Sequence, residues 1–136
     1  MENTIDVIFK EPGKKAVEMT IKDDLEKYHE LVEGIIDIAN LSFYHPLFRN
    51  YTAKTKRKVI AIVNDEGISL GKKPNIALDN NLRTILFGNI VFVAGFDGEE
   101  DWFSLNKEEK KMLKDFCYNY AVQEEQEQTK QKELAR

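Results

Sequence analysis

Val59-Ile60-Ala61-Ile62-Val63 is an unbroken apolar run, closed at once by Asn64-Asp65-Glu66-Gly67. A run of this kind reads as a strand covered on both faces, and Asn, Asp and Gly supply the chemistry of the turn that ends it. A second apolar stretch, Ile85 to Ala94, is interrupted by Gly88-Asn89, where a bulge or the start of a strand is expected. Its part from Ile90 to Ala94 is the second central strand.

Working outward, Ile5, Val7 and Phe9 alternate with Thr4, Asp6 and Lys10, and only Ile8 breaks the period. Pro12-Gly13 then offers a type II turn, and Val17, Met19 and Ile21 resume the alternation, so residues 4–21 read as a β-hairpin with one face on the core. Asp23 and Glu26 form an acidic capping signature for a helix carrying Leu25, Tyr28, Leu31 and Val32 on one face, with Gly34 as its left-handed C-terminal cap. Residues 35–39 are short, β-branched and bounded by Gly34 and Asn40, a third strand.

Residues 41–53 carry Phe43, Tyr44, Phe48 and Tyr51 around Pro46 with no steady period, and are assigned an irregular loop. Residues 68–84 read as an elaborated loop with short extended pieces, and Gly95–Asp101 as an acidic turn. Asn106 followed by Glu109 opens a long C-terminal helix with the stripe Leu113, Phe116, Cys117, Tyr120 and Ala121. The order β-β-α-β-loop-β-loop-β-α predicts an α+β fold: a mixed or mainly antiparallel sheet of about five strands with two helices, the second C-terminal and long. The helices are expected on one face of the sheet. Residues 1–122 form the single domain, and 123–136 a polar, frayed helical tail.

The chain has 136 residues, a formal net charge of −4 and one cysteine. That size supports a core without disulfides or metals, and the single Cys117 excludes an internal disulfide. A slightly acidic chain is poorly suited to coating nucleic acid, whose affinity comes chiefly from phosphate neutralisation. No apolar run reaches membrane-spanning length and the first residues do not resemble a secretory signal, so a cytoplasmic location is expected.

Specific chemistry is sparse. His29 and His45 lack partners at metal-ligand spacing, and Asp97-Gly98-Glu99-Glu100-Asp101 is less dense in acid than an oxygen-only metal site requires. Cys117 sits on an apolar stripe, as a small buried hydrophobe does. No phosphate loop, dinucleotide fingerprint or nucleophile elbow is present. No catalytic residue, metal or cofactor is assigned.

Two constellations remain. Lys54, Lys56, Arg57 and Lys58 follow the aromatic segment, and would approach Lys72 and Lys73 if residues 59–70 formed a hairpin. Cations beside aromatic faces such as Tyr51 suit a nucleotide, although strand-end charges also serve to discourage edge pairing. The second is the polar set Asn64, Asn75 and Asn89 with Gly67, Gly71, Gly88 and Gly95, read either as turn residues or as the rim of a small-ligand site. The candidate ligand-binding residues are therefore Tyr51, Lys56, Arg57, Asn64, Lys72 and Asn75.

Taken in order, the Ile-x-Val-x-Phe-Lys-Glu-Pro-Gly-Lys hairpin, Asn64–Gly67, Gly71-Lys72-Lys73-Pro74-Asn75, Gly88–Gly95 and Phe103–Glu109 resemble a small domain family of unknown function found in bacteriophages, prophages and mobile elements. The resemblance spans roughly residues 4–115 and carries over no catalytic residue. It implies a non-enzymatic binding protein, a counter-defence or host-modulating factor that engages a host protein or sequesters a small nucleotide-like signal in the host cytoplasm. The rival expectation is an enzyme acting on a nucleotide or polar metabolite at the Asn64/Asn75 rim, with Asp65 or Glu66 as base. Homo-oligomer formation through the last helix stays open, but its apolar stripe ends near Val122, too early for a long coiled coil.

Overall fold

In the computed structural model, which describes residues 3–79 and 84–122, both apolar runs lie in neighbouring strands at the middle of one sheet. The elements are β1 (Thr4–Lys10), β2 (Val17–Lys22), α1 (Leu25–Val32), β3 (Ile36–Asn40), a 3-10 turn (Leu41–Phe43), α2 (Pro46–Thr55), β4 (Arg57–Asn64), β5 (Pro74–Ala77), β6 (Ile85–Phe87), β7 (Ile90–Phe96) and α3 (Lys107–Tyr120). Five strands form a wholly antiparallel sheet in the order β2-β1-β7-β4-β3, and β5 and β6 form a separate pair. The fold is α+β, as expected. The 123–136 tail expectation lies outside the described residues.

Helices cover both faces of the sheet rather than one. On the first face α1 packs Tyr28 and Val32 against Ile5, Val7, Ile60, Ile62, Val91 and Val93. On the second, α2, α3 and the small sheet bring Phe48, Phe116, Cys117, Ile76 and Leu86 onto Ile8, Ala61, Val63, Phe92 and Ala94. This explains why β4 and β7 are apolar at consecutive positions: each successive side chain enters a different core.

The same arrangement corrects the reading of β1 as half solvated. Ile8 and Lys10 face the second layer and are 0% and 2% exposed. On this phase of β1, Thr4 and Asp6 remain exposed and half-buried, and only from Ile8 onward does the alternation mark two cores rather than core and water. The first helix begins one residue later than expected: Asp24 is the N-cap, accepting from the Lys27 N–H, while Asp23 accepts from the Tyr28 hydroxyl. At its other end the left-handed residue is Glu33 (φ 64°), not Gly34. Gly34 also has a positive φ, 155°, which side chains rarely adopt, and a Cβ there would lie 2.8 Å from Asn64 Nδ2.

Residues 46–55 are a helix, not the irregular loop assigned to 41–53. His45 caps it, its Nδ1 accepting from the Leu47 N–H, and Pro46 fits the first helical turn because its missing donor is not needed there. Phe48, Tyr51 and Thr52 supply the buried face. His45 Nε2 meets the Tyr120 hydroxyl at 2.8 Å, and its ring lies edge-on to Phe116, so α2 is tied to α3.

The start of α3 follows the expected capping box. Asn106 Oδ1 accepts from the Glu109 N–H and Glu109 Oε1 accepts from the Asn106 N–H, each at 2.8 Å. Asn106→Ala should lower stability by about 1–2 kcal/mol. Urea unfolding monitored by far-UV circular dichroism checks this, and a change within error would show that the box contributes nothing.

Candidate functional site

Of the six candidate ligand-binding residues, Tyr51 and Arg57 come together on Glu109. Arg57 Nε and Nη2 each lie 2.8 Å from one Glu109 carboxylate oxygen, and the Tyr51 hydroxyl donates to Oε2 at 2.9 Å. With the Asn106 N–H added, both oxygens of a fully buried carboxylate are satisfied. Burial opposes charge on Glu109, but the guanidinium and the donated hydrogen bonds hold it below the usual carboxylate range. The same partner raises Arg57. Arg57 also lies over the Phe96 ring at 5.4 Å, and Phe96 packs edge-on to Phe103.

This geometry takes Arg57 out of the basic cluster. The guanidinium fork that would take a phosphate is already bidentate to a carboxylate. Lys58 Nζ donates to the Glu99 carbonyl at 2.7 Å, while Lys56 is exposed at the left-handed C-cap of α2. Lys72 does not join them. Residues 57–64 are one continuous strand instead of half a hairpin, which puts roughly 20 Å between the two groups. Lys72 instead pairs with Glu33 at 3.1 Å.

The asparagines bind backbone. Asn64 Nδ2 donates to Val32 O and Glu33 O, its Oδ1 accepts from the Glu66 N–H, and Asn89 donates to Leu31 O. Together they satisfy carbonyls that the end of α1 leaves without intrahelical partners. Asn75 is fully buried: its Oδ1 accepts from Lys10 Nζ at 3.0 Å, and its Nδ2 donates to Lys10 O and Gly88 O. Burial lowers Lys10 from the normal lysine range and raises the neighbouring Cys117 thiol to about 12. Such a thiol is protonated and unreactive at neutral pH.

A cleft of about 400 Å³ opens between the β3–β4 end of the large sheet and the small sheet. Asp37, Asn64, Asp65 and Glu66 line it together with Ile68, Ile85, Leu86 and Phe87. Asn64 belongs to it and Asn75 does not. Among the described residues, the walls hold three carboxylates and no Lys, Arg, His or Cys. Among the described residues, neither Asp65 nor Glu66 has a cation within salt-bridge distance. Ile68 projects into solvent at 73% exposure.

The sequence pointed to Asn64, Asp65, Glu66 and Gly67 but not to the other residues of the cleft. Asp37 and Ile68 are separated from them by strand pairing and by a turn, neither of which spacing reveals. Lys10 and Glu109 were missed as a buried base and acid because each has its partner more than 50 residues away. Among the described residues there is no group of His, Cys, Asp and Glu arranged to hold a metal, and no helix is long and apolar enough to cross a membrane.

No curated protein and no solved structure matches the chain. A family model described as Domain of unknown function (DUF3846) matches residues 5–117, nearly the whole described fold from β1 into α3. The chain belongs to the DUF3846 family.

Proposed function

We propose that the chain is a non-enzymatic binding protein of a phage or mobile element, which modulates its host or counters host defence by engaging a host protein at the acid-lined cleft. The observation that carries this reading is the composition of the cleft wall, three carboxylates in one lining with Ile68, Ile85 and Phe87. An anionic nucleotide entering there meets like charge, with no cation among the described lining residues to neutralise it. A protein surface presenting Lys or Arg beside apolar side chains is complementary on both counts. The strongest alternative cation for a nucleotide, Arg57, is held by Glu109.

Several ionisable groups shifted by their surroundings also support binding over catalysis. Lys10, Arg57 and Glu109 are each closed in a structural network, and Cys117 is buried. Catalytic groups are tuned in order to react, and these are enclosed where substrate does not reach.

The test is to purify the tagged chain from its host cells and identify co-purifying material by mass spectrometry. A stoichiometric host protein is expected, and the double variant Asp65→Lys, Glu66→Lys should retain about tenfold less of it, because like charges across an interface are costly. Lys56→Glu, at the opposite end of β4, should retain it fully. A heat-released nucleotide in place of a protein would overturn the reading, as would turnover of a polar metabolite abolished by Asp65→Asn.

A further inference from the structure

The geometry points to an extended, basic segment of the partner as the ligand of this face, adding to the free edge of β3 as a sixth strand and setting Lys or Arg against the cleft carboxylates. This rests on the reading of the cleft as the partner surface, and specifies the chemistry and conformation of what binds there.

β3 ends the five-strand order and pairs only with β4 among the described residues. The Asp65 N–H bonds to Ile35 O at 2.8 Å. In an antiparallel ladder this sets the alternation: the peptide groups of Ile35, Asp37 and Ala39 face β4, and those of Ile36, Ile38 and Asn40 face outward. The Ile38 N–H shows it directly, since its acceptor is the adjacent Asp37 Oδ1 at 2.9 Å rather than β4. A carbonyl of an incoming strand can take over that bond and release the Asp37 carboxylate toward the cleft.

The two edges of the sheet are treated differently. β2 carries Glu18, tied by salt bridges to Lys110 and Lys114, and Lys22, tied to Asp24. Charged side chains of this kind discourage edge pairing. β3 carries neither Lys nor Pro, and exposes Ile38 at 50%. Unpaired edges with apolar side chains are the templates on which extended peptides add.

Side-chain direction then selects the ligand's pattern. Asp37 lies opposite Val63, on the cleft face, and Ile38 opposite Ile62, on the α1 face. Residues of an added strand alternate in the same way, so those beside Asp37 are basic and those beside Ile38 are apolar. A second copy of this chain is the wrong occupant. Edge-to-edge pairing of two β3 strands would put two Asp37 side chains on one face of the new ladder, and like charges on neighbouring strands are destabilising.

The test uses two fluorescein-labelled eight-residue peptides, one alternating valine with lysine and the other valine with glutamate, titrated against the full chain by anisotropy. The lysine peptide should bind at least about tenfold more tightly than the glutamate peptide. N-methylation of the peptide amides along one edge should abolish binding, and this control alters nothing in the protein. Ile38→Pro, which removes an outward N–H while leaving the β4 ladder its donors, should weaken binding by about tenfold or more. Equal binding of the lysine and glutamate peptides, or of the methylated peptide, would overturn the inference, as would a chain dimer that dissociates on Ile38→Pro. If Glu66→Lys still weakens the lysine peptide while methylation does not, the edge pairing falls and the cleft reading stands. If Glu66→Lys has no effect either, both fall.

Discussion

Glu109→Gln is expected to lower the unfolding free energy by about 3 kcal/mol, a large fraction of the stability of a domain this size. The carboxylate is fully buried, and Arg57, Tyr51 and the Asn106 N–H all converge on it. Glutamine keeps the volume but loses the charge, and its NH₂ faces groups that donate. The loss falls at the lower end for a buried pair because the Arg57 side chain keeps 23% of its surface in water and can be partly solvated after the substitution. The pH dependence gives an independent check. Glu109 is lowered from 4.5 in the fold, so its stabilisation is fully present above pH 4.5 and is lost as pH falls from there through the depressed folded value. The slope of stability against pH below 4.5 should therefore be shallower in Glu109→Gln than in the native chain. Urea midpoints measured from pH 7 to pH 3 check both effects, and parallel curves would mean that the pair carries no linkage.

Asn75→Ala is the second large effect, about 3–5 kcal/mol, because it leaves a buried ammonium with one acceptor in place of two and strands two carbonyls. The result separates roles: a residue at a ligand rim would lose binding with little change in stability. The Lys10 shift contributes to the alkaline behaviour, against the raised Cys117 thiol and Tyr28 phenol, which lose stability as pH climbs through the same range. The folded value of Lys10 is lowered from 10.5, so the unfolded chain holds the proton more tightly, and this group adds stability as pH climbs from the depressed value toward 10.5. Asn75→Ala removes an acceptor that favours the charged form, which should steepen that rise. A paired Lys10→Met, Asn75→Leu variant should recover much of the loss, since two matched apolar side chains leave no buried charge. Thermal unfolding of Lys10→Met, Asn75→Leu and the double variant checks the series, and a loss in the double equal to the sum of the two single losses would contradict the coupling.

The parts of the fold that were legible in the sequence are those held by local chemistry. The β1–β2 hairpin, the α3 capping box, the Asn64–Gly67 turn and the two central strands each advertise themselves within about ten residues. What stayed hidden was set by distant partners. Lys10 occupies the polar phase of an alternating strand, and only the arrival of α3 and β5 turns that phase into a second core. α2 was obscured because exposed Tyr44 and Leu47 stand among buried Phe48 and Tyr51, which erases the helical period, and because its cap is a histidine ring nitrogen. At the candidate site, Asn64, Asp65 and Glu66 were readable as a polar turn. Their conversion into a cleft depends on Phe87 and Ile85 crossing from the small sheet, a contact no spacing encodes.

The central claim is that the acid-lined cleft and the β3 edge beside it form the partner surface. Hydrogen–deuterium exchange of the chain, alone and in the complex that co-purifies from its host cells, tests it most directly. Binding should slow exchange in residues 35–40 and 64–70 and leave 54–58 and 96–103 unchanged. Protection confined to the basic and aromatic end, around Lys56, Phe96 and Phe103, would contradict it.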